Sequence, residues 1–420
     1  MLRLLLPFCL LPLLASGSPA QGAIWVVDDD GGPGVDFTDI QPAVDAAAPG
    51  DGVLVKDGVY LPFTIAGKGL SVVADEADDA LVEGPAGAIT TRVIGVPAGQ
   101  RVLIRGLRFR LGTDIDDDHL RFETSPGGIW LEDVQLESAL PFPFGVAFTQ
   151  RQALRVESCD EVVLTRCVVS GVTGAVPGMG SEIGSIGLSA VDSTLHLYDT
   201  LIGAGGSTVL GGEGTEGVEL VNSFASLRAC SVFGGSGGEG GLFGPPSAGA
   251  GGPAVLLTTG AELWSIGTDL VGGAGGAAFF GTPGPDGPPF EAAADSAVVE
   301  HAASNVAFTA PAVVCDCEMK KITYPVSTDP DSLLILIASF EPEPVFVPSF
   351  PDTVAVGLGP ILLTLGTTDA AGDFSFVFGT PFLPPALDFF QYTIQIAALT
   401  PSTGLEFSNP TLLTLVQDGL

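Results

Sequence analysis

Four segments in the middle of the chain repeat one pattern, in which short apolar strands are followed by a polar corner and a glycine-rich exit. They are ALRVESCDEVVLTRCVVSGVTG, GLSAVDSTLHLYDTLIGAGG, GVELVNSFASLRACSVFGGSGG and AVLLTTGAELWSIGTDLVGGAGG. Aligning Cys167, Thr200, Cys230 and Asp269 gives spacings of 33, 30 and 39 residues. Such a period is typical of solenoids, whose repeats bury their apolar faces by stacking on one another. We therefore expect each repeat to be one rung of a coil plus a loop of variable length.

Within a repeat, apolar and polar residues alternate with a period of two. Leu195 and Leu197 alternate with His196 and Tyr198, which is the pattern of a strand with one buried face. We expect the two leucines to point inward and His196 and Tyr198 to point outward. Because Pro and Gly between the strands exclude long helices, the sequence predicts an all-β, right-handed parallel β-helix over residues 21–310.

A short helix is predicted before the first rungs, in the stretch IWVVDDDGGPGVDFTDIQPAVDAAAPGDGVLVKDGVY. Ile40, Ala43, Val44 and Ala47 have the spacing of one helical face, and Thr38 or Asp39 can cap the helix. The stretch resembles the opening of secreted bacterial β-helix proteins of the pectin-lyase-like superfamily. The resemblance covers Ile24 to about Asp75, and it implies that the helix plugs one end of the coil.

The first twenty residues predict secretion. Arg3 is followed by the apolar run Leu4 to Leu14 and then by small residues up to Ala20, which is the pattern of a signal peptide cut before Gln21. No later apolar run reaches the roughly 18 residues that cross a bilayer as a helix. We expect an extracellular or cell-surface protein without a transmembrane segment.

The composition changes after Lys321. The last 99 residues contain no Lys, Arg or His but ten Asp or Glu. Runs such as SLLILIASF, AGDFSFVFGTP and QYTIQIAAL lie between Pro- and Gly-rich turns, which favours short antiparallel strands. We predict a linker at 311–331 and a small β-sandwich at 332–420. The stretch TTDAAGDFSFVF is similar to a hairpin of Ig-like bacterial accessory domains.

The formal net charge of -34 restricts the partners. Such a chain repels phosphate backbones and anionic membranes, so we predict no nucleic-acid partner and favour cations or glycans. Cys167 and Cys230 lie two rungs apart, about 9.6 Å at the spacing of neighbouring strands and too far for a disulfide. We predict that both are free thiols in the core.

Two acidic clusters are candidate calcium sites, because hard carboxylate oxygens are the ligands that Ca²⁺ prefers. The first contains Asp114, Asp116, Asp117 and Asp118, next to His119. The second contains Asp28, Asp30 and Asp36 around three glycines. The alternatives are a solvated loop for the first cluster and a tight turn before the helix for the second.

A local basic region lies within this acidic chain, since nine of its fifteen Lys and Arg residues fall between Arg92 and Arg166. Arg105, Arg108 and Arg110 are predicted to point outward and, with Arg121, are candidates to grip the carboxylates of a glycan. The alternative is that these arginines pair with Glu132, Glu137 and the Asp cluster on neighbouring rungs.

The resemblance to the pectin-lyase-like superfamily implies a possible polysaccharide lyase or glycoside hydrolase acting on an acidic polysaccharide. The hydrolase pattern of a Gly-His-Gly and an Arg-x-Lys is missing from this sequence, so no catalytic residue is assigned. Fold membership alone does not give an activity. We expect a non-catalytic protein that binds glycans, cell-surface or matrix components through its solenoid loops, with the enzyme as the alternative.

Overall fold

The described residues of the computed structural model of the protein divide into two compact units, one within 25–49 and 53–303 and the other within 22–24, 50–52 and 304–420. The structure describes residues 22–75, 80–84, 90–110, 118, 120–137, 152–171, 184–207, 210–240, 247–278, 281–301, 306–308, 313–315, 321–339, 345–346, 353–354, 360–379 and 389–416.

Among the described residues up to 301, the elements are one short helix and 24 strands. They are β1 (Ile24–Val27), α1 (Ile40–Ala46), β2 (Gly52–Val55), β3 (Gly58–Tyr60), β4 (Thr64–Ala66), β5 (Ser71–Ala74), β6 (Ala80–Glu83), β7 (Thr91–Ile94), β8 (Arg101–Arg105), β9 (Leu107–Arg110), β10 (Leu120–Glu132), β11 (Gln135–Glu137), β12 (Gln152–Thr165), β13 (Val168–Ser170), β14 (Ile186–Val191), β15 (Thr194–Tyr198), β16 (Leu201–Gly203), β17 (Val218–Val221), β18 (Phe224–Arg228), β19 (Ser231–Phe233), β20 (Val255–Thr258), β21 (Glu262–Ile266), β22 (Asp269–Val271), β23 (Phe290–Ala292) and β24 (Ala297–His301).

These strands form three parallel faces. Face 1 contains β4, β7, the first halves of β10 and β12, β14, β17, β20 and β23. Face 2 contains β5, β8, the second halves of β10 and β12, β15, β18, β21 and β24, with β1 and β2 at one end. Face 3 contains β3, β6, β9, β11, β13, β16, β19 and β22. Each rung visits the three faces in turn, which confirms the predicted parallel β-helix.

The alternation of residues along the strands builds one continuous core. On face 1, Leu120 and Phe122 of β10 are fully buried in this core, whereas Arg121 between them is partly exposed. The same alternation recurs at Leu154 and Val156 of β12. Successive side chains of a strand point to opposite faces, so every rung contributes its inward residues to the core.

A column of small residues joins face 2 to face 3. The Cys167 N–H donates to Thr200 Oγ1 at 3.3 Å, and the Cys230 N–H donates to Thr268 Oγ1 at 3.4 Å. Asp269 pairs instead with Ser231. The equivalence of Asp269 with Cys230 is therefore wrong by one residue, and the spacing is 38. The physical reason is that a short hydroxyl side chain must point inward here to accept the N–H of the neighbouring rung.

The cysteines of the solenoid are thiols in its core. Cys159, Cys167 and Cys230 are free and buried, which confirms the prediction for Cys167 and Cys230. Burial raises the pKa of Cys159 to about 11 and that of Cys230 to about 12. These thiols are therefore protonated and inert at neutral pH.

The predicted helix is present as α1, and it buries the predicted face. The Asp39 side chain accepts the N–H of Ile40, and Ile40, Ala43 and Val44 are buried. At the other end, Lys68 Nζ donates to the carbonyls of Val44 and Ala47 at 2.5 and 2.6 Å. A lysine in this position satisfies carbonyls that the last turn leaves unpaired.

The second unit is a small, mainly antiparallel region. Its strands are β25 (Ala307–Phe308), β26 (Val313–Cys315), β27 (Lys321–Ser327), β28 (Leu333–Ser339), β29 (Val345–Phe346), β30 (Thr353–Val354), β31 (Ile361–Thr367), β32 (Asp373–Gly379), β33 (Phe389–Thr400), β34 (Gly404–Phe407) and β35 (Thr411–Val416). β32 pairs with β27 and β31 pairs with β28. The resemblance of TTDAAGDFSFVF to a hairpin is therefore wrong here, because its two strands belong to different sheets.

Among the described residues, no helix is both long and apolar enough to span a membrane.

Candidate functional site

The outer side of face 1 carries a column of mostly polar residues, and we call it the outer column. Strand register stacks one residue of each rung on the next. In order, the outer column is Thr64, Arg92, Arg121, Arg155, Ser189, Glu219, Leu256 and Glu291. Three arginines therefore lie on one side of Ser189, and two glutamates lie on the other.

The arginines of the outer column contact two glutamates, Glu123 and Glu157. These lie two positions further along strands β10 and β12 and belong to the next outward column of face 1. Arg92 and Arg121 approach Glu123 at 3.3 and 2.9 Å. Arg121 also reaches Glu157 at 2.9 Å, and Arg155 contacts the same carboxylate. Burial raises the pKa of Glu157, but the hydrogen bonds from Arg155 and Arg121 outweigh it and hold that pKa below its usual value. Arg121 is thus ion-paired, but with Glu123 and Glu157 and not with Glu132, Glu137 or the Asp cluster that the sequence analysis named.

The other half of the outer column is acidic. Ser189 Oγ donates to Glu219 Oε2 at 2.8 Å. Glu216, just before β17, is partly buried, and its Oε2 has no hydrogen-bond partner within the described structure. Burial raises the pKa of Glu216, and the charges of Glu219 and Glu291 raise it further. The face thus changes from arginine-rich to carboxylate-rich along the solenoid.

A second set of ion pairs lies on face 3. Arg108 and Arg110 contact the two oxygens of Glu137 at 2.7 and 3.0 Å, and Arg110 lies 3.7 Å from Glu83. Burial raises the pKa of Glu137, but the two arginines outweigh it and leave that pKa lowered. The pairing of Arg108 and Arg110 with Glu137 is the predicted alternative to glycan binding, and it places both cations beside an internal carboxylate.

Arg105 is not an exposed residue, in contrast to the expectation from the sequence. Its side chain is 2% exposed and lies 3.7 Å from Glu132 and 3.9 Å from Asp133. Arg166 contacts the same two carboxylates, with Nε 2.8 Å from Asp133. The difference arises because Arg105 ends a strand of face 2, whose outer side is covered, whereas Arg108 and Arg110 lie on face 3. Arg105 is removed from the candidate glycan-binding residues.

Outward residues in the middle and at the end of several face 2 strands are buried, which also corrects the expectation for His196 and Tyr198. Leu195 and Leu197 point into the core as predicted, but His196 and Tyr198 are only 5% and 1% exposed. Burial lowers the pKa of His196 to about 4. Trp130 in the same outward column is likewise buried, whereas outward residues at the start of face 2 strands, such as Glu161 and Glu262, are partly exposed or exposed.

The N-terminal aspartates are used within their own turn. Asp28 Oδ1 accepts the N–H of Asp30, and Asp36 Oδ2 accepts the N–H of Val26 at 2.9 Å. This is the tight turn that the sequence offered as the alternative to a calcium site. Asp118 is buried, and its Oδ1 accepts the N–H of Gln152 at 3.3 Å.

Asp114, Asp116, Asp117 and His119 lie outside the described residues. In the described part of the chain, no group of three or more His, Cys, Asp or Glu is placed to hold a metal ion.

The glycine-rich exits form hydrogen-bonded layers. Gly234, Gly237 and Gly240 donate to the carbonyls of Val271, Ala274 and Ala277 in the next rung, so the bonds recur every third residue. The exit after β19 also pairs with a returning segment, because Gly249 and Gly252 donate to the carbonyls of Gly238 and Gly235. Three residues per turn without internal hydrogen bonds is the period of polyproline II. The exits are therefore two ordered layers of extended segments.

Only glycine fits at the inner positions of these layers. A Cβ on Gly273 would lie 1.9 Å from the carbonyl oxygen of Gly235, and a Cβ on Gly249 would lie 1.8 Å from that of Gly212. The same requirement, one residue in three, makes glycine obligatory at the axis of collagen. The glycines of the exits are thus explained by close packing between neighbouring segments.

One side of the outgoing layer is exposed, and we call it the ridge surface. Its members are the last residues of strands β19 and β22 and the residues three and six positions after them, and all are exposed. They are Phe233, Ser236, Glu239, Val271, Ala274 and Ala277. Phe233 and Val271 are 40% and 48% exposed. Leu201 and Val168, at 42% and 37% exposed, lie in the neighbouring outward column of face 3. The ridge surface combines apolar contacts with the two polar side chains of Ser236 and Glu239.

Neither the outer column nor the ridge surface was predicted from the sequence. Arg155, Ser189 and Glu219 align only when the register of rungs with different loop lengths is known. The ridge surface had a signal, which is the recurrence of glycine at every third position over short runs such as Gly235 to Gly238. Because glycine recurs at every third position only within these short runs, the chain as a whole has no strict three-residue period.

No family profile matches this chain, and no curated protein matches it. Two solved structures similar to it are the full-length tailspike protein 2 from Escherichia coli O157:H7 bacteriophage CAB120 and the enzymatically active domain of bacteriophage CBA120 tailspike protein 2. Both are 8% identical, with TM-scores of 0.30 and 0.29 over 95% of this chain. The chain spans 64% of the first protein and 72% of the second. At these TM-scores the likeness carries no argument about function.

Proposed function

We propose that this protein is a secreted or cell-surface β-helix that binds glycans through the ridge surface without cleaving them. The observation that carries the proposal is the exposed combination of Phe233 with Ser236 and Glu239 on a hydrogen-bonded layer. Sugar rings have apolar C–H faces and hydroxyl edges, so a site for them needs an apolar contact and a few fixed polar groups. The ridge surface supplies both kinds of group.

The layers beneath the ridge surface favour binding because they are fixed before a ligand arrives. Gly237 and Gly240 of the Phe233 segment are bonded to the neighbouring segment at 2.8 Å. A preformed surface loses little conformational entropy on association, and less of the contact energy is spent on ordering.

A neutral glycan fits the charges better than an acidic one. The exposed guanidinium groups of Arg108, Arg110 and Arg121 are already paired with Glu137, Glu123 and Glu157. An acidic polymer would have to displace these carboxylates and approach a chain of net charge -34. We therefore propose that the ligand is an uncharged glycan and that it binds on the ridge surface.

Binding of the mature chain to a panel of neutral and acidic polysaccharides tests the proposal. We expect a neutral member to bind and Phe233→Ala to weaken it at least tenfold, which is about 1.4 kcal/mol. Leu362→Ala is the matched control, because Leu362 is also an exposed apolar side chain, at 62%, and it should bind like the wild type. Equal binding by Phe233→Ala, or binding of acidic members alone, would contradict the proposal.

The alternative of a glycoside hydrolase is favoured by Glu216. Glycosidases use two carboxyl groups, one of which has a raised pKa, and Glu219 is near enough for its charge to contribute to the raised pKa of Glu216. Release of reducing ends by the wild type, and its loss in Glu216→Gln, would replace the non-catalytic proposal with this one. A lyase would instead release unsaturated, ultraviolet-absorbing products.

Secretion is supported by the N-terminal sequence, in which Arg3 and the run from Leu4 to Leu14 precede small residues. Expression of the full chain in a bacterium with a general secretory pathway tests it. We expect the exported protein to begin at Gln21 by mass spectrometry, and a protein retained in the cytoplasm with Met1 intact would refute it.

A further inference from the structure

We propose that face 1 is an interface between two copies of this chain, packed face to face with their solenoid axes antiparallel. The basis is the order of charges in the outer column. Counting from Ser189, the positions on one side are Arg155, Arg121 and Arg92, and those on the other are Glu219, Leu256 and Glu291. The charge at the first and third positions is thus reversed across Ser189.

This order of charges is matched by a two-fold axis that lies between the two copies of Ser189 and runs parallel to the strands. Such an axis places each rung opposite the rung at the same distance on the other side of Ser189. Arg155 then faces the partner's Glu219, and Arg92 faces the partner's Glu291. Because both copies have the spacing of parallel strands, about 4.8 Å per rung, the pairs align together. The symmetry repeats each pair, as every two-fold interface does.

The second position of the column is compatible with this packing. Arg121 faces the partner's Leu256, which is partly buried within its own chain. Arginine covers apolar surface with its aliphatic stem while its charged head stays with polar partners. The head of Arg121 is already bonded to Glu123 and Glu157, so its stem is available for the contact.

The next outward column adds no like-charge contact. It runs Glu123, Glu157, Val191, Val221 and Thr258. The same two-fold axis passes through Val191, so Glu157 faces the partner's Val221 and Glu123 faces the partner's Thr258. Like charges placed directly opposite one another would oppose association, and this arrangement avoids them in both columns.

The charge balance of face 1 identifies a second copy as the occupant. Among the partly exposed side chains of the arginine half, Arg92, Arg121 and Arg155 outnumber Glu123 and Glu157 by one, and the third carboxylate near them, Asp118, is buried. The other half carries Glu216, Glu219 and Glu291. An anionic polymer would be repelled by the second half and a cationic one by the first. A partner with the reverse order of charges satisfies both halves, and an antiparallel second copy has that order.

The ion pairs within the chain leave N–H donors of Arg92 and Arg155 available for a partner chain. A guanidinium carries five N–H donors in a planar fork, and the contacts of Arg92 and Arg155 with their own glutamates each involve a single Nη2. Glu291 is exposed at the end of the column. Rim pairs of this kind determine register and orientation more than affinity, so we expect a reversible dimer.

Sedimentation analysis of the full mature chain at physiological ionic strength tests the proposal. We expect a concentration-dependent dimer. Arg92→Glu and Glu291→Arg should each raise the dissociation constant at least tenfold, and the double variant should restore it to within threefold, because the exchanged charges face each other again. Arg92 and Glu291 are chosen because Arg92 has the long 3.3 Å contact with Glu123 and Glu291 is exposed.

Arg110→Glu is the matched control. Its side chain is 34% exposed, the same fraction as Arg92, it lies on face 3, and its substitution changes the net charge equally. We expect its dissociation constant to equal that of the wild type, and circular dichroism with thermal unfolding confirms that each variant is folded. A wild type that is monomeric at every concentration, a dimer that is insensitive to Arg92→Glu and Glu291→Arg, or a double variant as weak as the singles would overturn the proposal.

Discussion

Arg105 Nη2 lies 3.7 Å from Glu132 Oε1, and the two side chains are only 2% and 1% exposed. The pair stacks across neighbouring rungs, where strand register places Arg105 directly beside Glu132. Burial lowers the pKa of Arg105, while the charges of Glu132 and Asp133 raise it. Each buried charge is therefore stabilised by the opposite charge of its partner.

Removal of one partner should be costly. Glu132→Leu leaves the buried guanidinium of Arg105 without its nearest carboxylate, and we expect the free energy of unfolding to fall by about 3–5 kcal/mol. The double variant Arg105→Met with Glu132→Leu should recover most of the loss, because both charges are gone. Urea denaturation measures both, and a double variant less stable than Glu132→Leu would contradict the interpretation.

The packing of the glycine layers predicts a difference between two glycines. Gly273→Ala forces a Cβ against the carbonyl oxygen of Gly235, and we expect a loss of about 1–3 kcal/mol. Gly203→Ala is the control, since a Cβ there meets nothing within 4 Å, and surface changes of this kind stay within about 0.5 kcal/mol. Equal unfolding midpoints for the two variants would argue against layers packed in this way.

His196 predicts a loss of stability in acid. Its pKa is lowered by burial to about 4, against an ordinary value of 6.5, so between these values the unfolded chain binds a proton that the folded chain does not. The stabilisation is complete above pH 6.5 and is lost as the pH falls towards 4. At pH 5 the loss is about 2 kcal/mol relative to pH 7.

Urea titrations of the wild type and His196→Gln at pH 7 and pH 5 isolate this effect. The carboxylates titrate in both proteins, so the difference between the two proteins reports His196. We expect the wild type to lose more stability than the variant on acidification, and parallel losses would refute the prediction.

The calcium hypothesis for Asp114, Asp116 and Asp117 stays a prediction. We expect Ca²⁺ to raise the unfolding temperature of the wild type and to leave Asp116→Ala unchanged, because a site that binds only the folded chain stabilises it. Asp30→Ala should keep the full shift, since the neighbouring Asp28 and Asp36 carboxylates already accept backbone N–H groups. A wild type without any calcium shift would remove both candidate sites.

The fold could be predicted because its signals are local. The alternation at Leu195 and Leu197 and the helical face of Ile40, Ala43 and Val44 each follow from a few neighbouring residues. The burial of His196 and Arg105 could not be predicted, because it depends on what covers the outer side of a strand, and the alternation only distinguishes inside from outside.

The candidate site was predicted only in part for a related reason. The pairing of Arg108 and Arg110 with Glu137 was predicted as an alternative, because charged residues on adjacent rungs commonly form ion pairs. The partners of Arg121, which are Glu123 on its own strand and Glu157 on the next rung, were not predicted. The outer column required the register between rungs, and loops of different length hide that register in the sequence. The misplacement of Asp269 by a single residue illustrates the problem, because a one-residue slip moves a side chain to the opposite face of a strand.

The three-residue period of the glycine layers limits how these exits can change in length. Inserting one or two residues into a run such as Gly234 to Gly240 would turn the inner glycines away from their neighbours and bring side chains against backbone carbonyls. Inserting three residues would add one turn and preserve the facing of every later residue. The straight parts of these exits can therefore grow or shrink only in steps of three residues.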